Sequence, residues 1–255
     1  SFITSTVSRD FEERQKQMAN FVLVHGAWHG GWCWSRVAKL LIQRGHRPFT
    51  PTLTGLGERS HLLSREVDLN THIQDIVSIF EFEELADVTL CGHSYGGFVI
   101  TGAADRVAKQ ISSIVYLDAF IPKNGQSVQD LVPGQGKTPR GKGEKEYGEV
   151  WKVPPRSAES FMVQESEDRA WVNRRCVPHP YATMTQPINL TANWESIPTK
   201  TFLEASLYTP SPFGPFAKHA KNSPDWDYEK IEAGHDIMID EPEKLTEALI
   251  RAAAL

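Results

Sequence analysis

Short apolar segments alternate with amphipathic segments along most of the chain, and the two kinds predict different elements. The apolar runs at 21–24, 88–91 and 114–117 predict short strands that are buried on both faces. Between 73 and 80, apolar residues recur at the three- and four-residue spacing of one helix face. Because strands and helices alternate in this way, the pattern predicts an α/β fold with a mostly parallel central sheet flanked by helices.

Capping and turn residues place the remaining elements. Ser35 and Gly45 are typical of the start and the stop of a helix, and Asp240 with Pro242 is typical of a helix that opens near the end of the chain. The other predicted elements are strands at 46–50, 201–203 and 228–231 and a helix at 95–109. Together these elements predict one domain over residues 18–255.

Two segments depart from this pattern. Residues 121–198 hold few strand signals and many prolines, and such a stretch inside a compact domain usually forms a lid or a mobile loop. Its aromatic side chains, Trp151 and Trp171 among them, either line an apolar pocket or only pack the insertion onto the body. Residues 1–17 are polar and lack the apolar core of an export signal. We interpret them as a leader or a cloning remnant outside the fold, with a short amphipathic helix at 8–17 as the alternative.

The amino-acid composition limits which partners the protein could bind and where in the cell it could be located. The 255 residues are 40% hydrophobic and 23% charged, which is typical of a globular chain and excludes a disordered one. Lysine and arginine total 27 against 32 acidic residues, so the net charge of −5 gives no electrostatic reason to bind nucleic acid. Three scattered cysteines make neither a disulfide framework nor a zinc site, and no apolar run reaches the ~18 residues that cross a bilayer. We therefore expect a soluble, cytoplasmic protein with no membrane partner.

The pentapeptide GHSYG at 92–96 follows a predicted strand and precedes a predicted helix. In that setting the Gly-x-Ser-x-Gly pattern is typical of a nucleophile elbow, where a serine stands on a tight turn and flanking glycines avoid a collision. The helix that follows directs free N–H groups toward developing negative charge. The pattern predicts Ser94 as a catalytic nucleophile, with a packing turn and a solvated serine as the alternative.

A glycine-rich loop, HGAWHGGW at 25–32, follows the first predicted strand. In a fold of this kind such a loop gives one backbone N–H to an oxyanion, and the residue after the nucleophile gives the other. These residues are Ala27 and Tyr95. His25 and His29 lie four apart, but a glycine-rich loop is not a helix and no third ligand stands near, so we expect each to bond to backbone rather than to a metal. Phosphate and dinucleotide patterns are missing, and no cofactor is expected.

The tripeptide GHD at 234–236 lies between the last predicted strand and the last predicted helix. A histidine there would lie across the strand ends from Ser94, and the chain order serine, acid, histidine is the one that this architecture uses. Neutral His235 is thus predicted to take the Ser94 proton during attack and to return it to the leaving group.

The segments FVLVHGAWHGGW, CGHSYGG, YLDAF and GHDIM make the chain resemble the α/β-hydrolases from about residue 18 to the C-terminus, least so in the insertion. More narrowly, they resemble bacterial hydrolases related to plant methyl esterases and hydroxynitrile lyases. The resemblance implies a cofactor-independent serine esterase for a small aromatic methyl ester or methyl carbamate, with conversion of carbendazim to 2-aminobenzimidazole as the suspected reaction. Trp28, Phe120, Trp151 and Trp171 would then hold the flat substrate, and a homodimer is compatible with this function.

The acid of the triad is not where the resemblance implies it. The family usually places it in the loop after the strand at 201–203, and residues 207–210 carry no carboxylate. Two candidates remain, each at the end of a predicted strand. Glu204 lies beside apolar residues, where an unpaired charge is costly, so a pair with His235 would explain it. Asp118 ends the preceding strand, and we favour Glu204 over it.

Two other functions stay open on the same scaffold. The hydroxynitrile lyases that the chain resembles carry threonine at the position of Gly26 and lysine at that of Asp236. A carboxylate cannot stabilise departing cyanide as an ammonium can, so we expect no cyanide release. A ligand receptor with slow or no turnover would keep Ser94 and His235, and an assay of turnover separates it from an enzyme.

Overall fold

The computed structural model describes residues 18–132 and 148–253. In that part of the chain, strands and helices alternate as the sequence predicts. The elements in chain order are β1 (Asn20–Val24), α1 (Ser35–Gln43), β2 (Arg47–Phe49), α2 (Leu69–Phe82), β3 (Val88–His93), α3 (Gly96–Val107), β4 (Ile111–Leu117), α4 (Val128–Leu131), β5 (Lys152–Val153), α5 (Ser166–Arg175), β6 (His179–Pro180), α6 (Ala182–Thr185), β7 (Thr199–Ala205), α7 (Gly214–Lys221), β8 (Asp227–Ile231), α8 (Ile237–Asp240) and α9 (Pro242–Ala252). Short 3₁₀ helices lie at Gly31–Trp34, Gly57–Leu62, Ala108–Gln110 and Asn193–Ser196.

Six of the described strands form one parallel sheet in the order β2–β1–β3–β4–β7–β8. The central strands β1, β3 and β4 are almost wholly buried, as near-continuous apolar runs predict for strands covered on both faces. The predicted α/β architecture with a parallel sheet is confirmed. Because the strands are parallel, their carboxyl ends lie at the same edge of the sheet, where α/β proteins bind their ligands.

Some predicted element boundaries shift for local reasons. Gly45 follows α1 with a φ of 84°, the left-handed conformation that suits a glycine after a helix. Ser35 does not cap α1, because a 3₁₀ turn runs directly into the helix and makes Ser35 its first residue. Asp240 does not open the last helix but ends α8, where its carboxylate accepts the N–H of Gly234 at 2.8 Å.

In its described residues, the segment between β4 and β7 carries short helices and the antiparallel pair of β5 with β6. Three hydrogen bonds with Trp28 help to attach it to the body. The Trp28 Nε1–H donates to the Val153 carbonyl at 3.0 Å, the Trp28 N–H donates to His179 Nδ1 at 3.3 Å, and the Val177 N–H donates to the Trp28 carbonyl at 3.0 Å. Residues 1–17 and nearly all of the lysine- and glycine-rich run at 134–148 lie outside the described residues. Within the described ranges, no helix is long and apolar enough to cross a membrane.

Candidate functional site

The carboxyl ends of four parallel strands carry the residues of the candidate site. The loop with Ala27 follows β1, Ser94 follows β3, and Asp118 follows β4. His235 lies a few residues beyond β8. The residue before Ser94 ties two of these turns together, because the His93 Nε2–H donates to the His235 carbonyl at 2.9 Å.

Ser94 occupies a strained turn, as the elbow motif predicts. Its φ is 57°, a left-handed backbone conformation that residues other than glycine rarely adopt and that is enriched at functional sites. A Cβ at Gly92 would lie 2.7 Å from the Gly96 carbonyl oxygen, and one at Gly96 would lie 2.9 Å from the His25 carbonyl oxygen. Both flanking glycines are therefore required by close backbone contacts. The Ser94 N–H donates to the Leu117 carbonyl at 3.3 Å and holds the turn against β4.

His235 contacts Asp118, whose side chain is fully buried. The His235 Nδ1–H donates to Asp118 Oδ2 at 2.6 Å, and the Ala205 N–H donates to Asp118 Oδ1 at 3.4 Å. Asp118 has a φ of 42°, so it too lies on a strained turn directly after its strand. Burial lowers the pKa of His235 below its usual value, since it penalises the imidazolium form. A neutral imidazole held from Nδ1 keeps Nε2 available to accept a proton.

Glu204 does not contact His235, contrary to the favoured sequence hypothesis. Its carboxylate accepts a hydrogen bond from the Tyr228 hydroxyl and lies 3.7 Å from the Lys230 ammonium. Lys230 is its partner in register on the neighbouring strand β8. Glu204 is therefore stabilised by cross-strand neighbours, whereas Asp118, the second candidate, extends from the turn beyond β4 toward His235.

Histidine side chains fix the peptides of the predicted oxyanion loop. The Leu53 N–H donates to His25 Nε2 at 3.0 Å, so the proton lies on Nδ1, which donates to the Gly26 carbonyl at 2.8 Å. Burial lowers the pKa of His25 to about 3, which keeps this neutral tautomer. The bond orients the Gly26–Ala27 peptide. Among the described residues, neither the Ala27 N–H nor the Tyr95 N–H donates to a protein acceptor, as an oxyanion hole requires.

Two of the predicted pocket residues belong to the aromatic shell around His235. The Trp28 ring lies 6.1 Å from Phe161, whose ring is 5.6 Å from His235. The Phe120 ring lies 4.8 Å from Phe213, which stacks on His235 at 5.0 Å. Trp28 also has a φ of 66°, so the loop that carries it is strained like the elbow.

The other two predicted pocket residues pack elsewhere. Trp151 lies under the Lys152 ammonium at 5.0 Å and bonds to Glu149. Trp171 packs edge-on against Trp32 at 5.1 Å and under the Arg36 guanidinium at 5.3 Å. These contacts fit the packing role that the sequence left open for them, and a role in the pocket stays a prediction.

Sequence reasoning missed a buried charged residue beside His235. Asp236 is fully buried, and its Oδ2 lies 2.9 Å from His29 Nε2. The prediction that His25 and His29 bond to backbone is correct, since His29 Nδ1 lies 2.7 Å from the Ala27 carbonyl oxygen. Nothing in the local pattern pairs positions 29 and 236, because the contact joins two loops 207 residues apart. No group of side chains suited to hold a metal ion occurs in the described parts of the chain.

Comparisons with known proteins agree with this architecture. The model of the alpha/beta hydrolase family matches residues 21–248. The chain is 46% identical over 242 residues to a carbendazim hydrolyzing esterase from Nocardioides sp. (strain SG-4G), with 91% of this chain and 98% of that protein covered. It is also 35% identical over 127 residues to methylesterase 1 of Arabidopsis thaliana, which covers 46% of this chain and 44% of that protein.

A solved structure extends the likeness to the fold. An extracellular alpha/beta-hydrolase from a Paenibacillus species, described as a structural and functional homologue of tobacco salicylic acid binding protein 2, superposes with a TM-score of 0.79. It is 25% identical and covers 92% of this chain and 98% of its own. The resemblance stated from the sequence motifs is thereby confirmed. The chain belongs to the α/β-hydrolase family, in the branch that includes the methylesterases, and it is a hydrolytic enzyme.

Proposed function

We propose that the protein is a serine esterase that hydrolyses a small aromatic methyl carbamate or methyl ester, with carbendazim as its substrate. The observation that carries the proposal is the 2.6 Å contact of His235 with Asp118 beside the strained turn of Ser94. It supplies the orienting carboxylate that nucleophilic catalysis by serine needs. The substrate is supported by the 46% identity to a carbendazim hydrolyzing esterase over nearly the whole chain.

In the acylation step, Ser94 Oγ attacks the carbamate carbonyl carbon while His235 Nε2 accepts the serine proton. Asp118 holds the imidazole through Nδ1 and stabilises the imidazolium that forms. The N–H groups of Ala27 and Tyr95 bind the oxyanion. The tetrahedral intermediate collapses as the imidazolium gives its proton to the methoxide, so methanol leaves and the aryl carbamoyl group stays on Ser94.

In the deacylation step, water replaces methanol. His235 removes a proton from the water as it attacks the carbamoyl carbon, and the proton then returns to Ser94 Oγ as the bond to serine breaks. The product is an aryl carbamic acid, which loses carbon dioxide and leaves the aryl amine. For carbendazim that amine is 2-aminobenzimidazole, and the sum of both steps consumes one water.

Each residue of the site takes one role in this reaction. Ser94 is the nucleophile, His235 the general base and acid, and Asp118 the orienting acid in place of Glu204. Trp28 and Phe120 are proposed to hold the flat aromatic ring, because both belong to the shell of rings around His235.

A hydroxynitrile lyase finds no support in the contacts. Asp236 takes the position of the lysine that would stabilise cyanide, and its carboxylate is bonded to His29. A Cβ at Gly26 would lie 2.9 Å from the Ser94 Cβ, so the threonine of those enzymes would need a rearranged elbow. We therefore expect no cyanide release from mandelonitrile.

The partner and compartment follow the same proposal. A small aromatic ester or carbamate is the partner, with no nucleic acid, and a homodimer is allowed. A cytoplasmic location is proposed because Cys33, Cys91 and Cys176 are all free thiols.

Mass spectrometry of the products tests the function. Purified wild type and Ser94→Ala are incubated with carbendazim and with a panel of methyl esters and methyl carbamates. The proposal expects methanol and 2-aminobenzimidazole from wild type and neither from Ser94→Ala. If the wild type hydrolyses p-nitrophenyl acetate but leaves carbendazim unchanged, carbendazim is rejected as the substrate while the esterase activity stands. No turnover of any ester favours the receptor alternative.

A further inference from the structure

A second buried pair of histidine and carboxylate lies next to the proposed triad. His29 and Asp236 are almost completely excluded from solvent, and their side chains are 2.9 Å apart. The other ring nitrogen of His29 lies 2.7 Å from the Ala27 carbonyl oxygen. Both partners are acceptors, so His29 satisfies both only when each ring nitrogen carries a proton. With Asp236 ionised, the two contacts therefore call for a buried imidazolium opposite a carboxylate.

The surroundings of His29 favour the charged form. The ring stacks on Trp32 with centroids 5.4 Å apart and planes at 14°, an arrangement in which an aromatic face stabilises a cation. Burial opposes the charge, yet the charge of Asp236 and the hydrogen bonds outweigh it and raise the pKa of His29 above 6.5. Asp236 is likewise held as a carboxylate: burial opposes this, but the imidazolium lowers its pKa to about 2.

The pair joins the two loops that the proposed mechanism must keep in register. Asp236 directly follows His235, and His29 lies two residues after Ala27. The hydrogen bond from His29 to the Ala27 carbonyl fixes the peptide that follows the proposed oxyanion donor. His93, 3.8 Å from Asp236, ties the elbow to the same loop through the His235 carbonyl.

We infer that His29 and Asp236 form a positioning couple that holds the oxyanion loop against the loop of His235. The inference rests on the proposed function, because it assumes that the Ala27 N–H and His235 act on one substrate. Neither residue is assigned contact with the reacting atoms. Removal of the carboxylate leaves His29 a neutral ring that donates only one hydrogen bond, so the charged contact that holds the loop of Ala27 against the loop of His235 is lost.

The couple is surrounded by other titratable groups, and the pH test must account for them. Burial lowers the pKa of His25, His93 and His179, which therefore stay neutral neighbours. The titratable groups that face the couple are His25, Cys33, His93, Asp118, Cys176, His179, Tyr208, His235 and Asp240.

The first test is the kinetics of Asp236→Asn with p-nitrophenyl acetate across pH. We expect kcat to fall by about 10²- to 10³-fold, the loss typical of one oxyanion donor, with KM changed by less than about threefold. The alkaline limb of the pH profile, where His29 loses its proton, should move to lower pH because the imidazolium has lost its partner. A residue that only supports the fold would not move this limb.

Two variants serve as controls. Asp168→Asn makes the same carboxylate-to-amide change in a pair with Arg36, 2.6 Å apart, and should keep both kcat and the pH profile. Asp236→Glu retains the charge and should keep the alkaline limb near its wild-type position. Wild-type kcat and an unmoved limb in Asp236→Asn would overturn the positioning couple.

The second test needs no folded variant. Nitrogen NMR of the histidine-labelled wild-type protein should show one histidine that keeps protons on both ring nitrogens above the pH at which free histidine loses one. Its absence would overturn the inference even if Asp236→Asn did not fold.

Ser94→Ala in the same kinetic assay tests the proposed function separately. Retained turnover in Ser94→Ala rejects Ser94 as the nucleophile, whereas the NMR result still decides whether the couple exists.

Discussion

Two buried histidines, each against a carboxylate, lie side by side in this enzyme with opposite tendencies to hold a proton. His235 bonds to Asp118 through one nitrogen, and burial lowers its pKa. His29 bonds to acceptors through both nitrogens, and its pKa is raised. The positive charge on His29 also disfavours a second charge on His235. The same residue type is thus set by its surroundings either to stay neutral, as the proposed general base requires, or to hold a proton.

Backbone strain is present in the loops that surround the two histidines. Trp28, Ser94 and Asp118 all have left-handed backbone conformations, with φ between 42° and 66°. Each lies directly in a loop at the carboxyl end of a parallel strand. Each of these conformations costs of order 1–3 kcal/mol.

Replacement of the proposed nucleophile, Ser94, gives the largest expected effect. It tests whether the pair of His235 and Asp118 acts through Ser94. Ser94→Ala removes the hydroxyl that His235 is proposed to deprotonate but leaves both pairs in place. We expect kcat for p-nitrophenyl acetate to fall on the order of 10⁶-fold, as in other serine enzymes. Unchanged thermal stability should accompany the loss, and turnover within tenfold of wild type would contradict the account.

Of the two carboxylates at strand ends, Asp118 gives the next largest expected effect and Glu204 serves as its control. Asp118→Asn should lower kcat by about 10⁴-fold, because the imidazole loses its orienting charge. Glu204→Gln makes the matched change in a carboxylate that contacts Tyr228 and Lys230, and it should leave kcat within about threefold. Comparable losses in both variants, measured by steady-state kinetics, would remove the assignment of Asp118.

Much of this picture could be predicted from the sequence, and the exceptions have a common cause. The apolar strands, the elbow at Ser94 and the loop with Ala27 depend on local pattern, so they were predictable. The choice between Asp118 and Glu204 depends on sheet register, which places Lys230 beside Glu204. The pair of His29 and Asp236 depends on the meeting of two distant loops. Contacts between loops leave no period or spacing in the sequence.

The pH profile of activity separates His235 from His29, because their pKa values are shifted in opposite directions. His235 must be neutral to accept a proton, and its pKa lies below 6.5. The acid limb of kcat/KM should therefore lie below pH 6.5, with a loss of about tenfold per pH unit only beyond it. His29 must stay charged, and its pKa lies above 6.5, so its limb is alkaline. An acid limb above pH 6.5 in the wild type would contradict the neutral assignment of His235.

Replacement of Trp28 gives the smallest expected effect. It separates substrate binding, which should change, from proton transfer, which should not. Its ring packs on Phe161 near His235, and its indole N–H bonds to Val153. Trp28→Ala should raise KM for aromatic carbamates by about tenfold, from lost ring contact, while both pH limbs stay in place. Trp226→Ala removes an indole that packs on Tyr116 and His219 instead, and serves as the control. No change in KM for Trp28→Ala would count against its place in the pocket.

Covalent labelling tests the central claim most directly, since it requires Ser94 and His235 to act together. An aryl phosphate triester that traps activated serines is added to wild type, His235→Ala and Asp236→Asn, and the labelled peptide is identified by mass spectrometry. We expect one phosphoryl group, on Ser94, formed rapidly in wild type, more slowly in Asp236→Asn and negligibly in His235→Ala. A label on another residue, or equal labelling of Ser94 without His235, would contradict the claim.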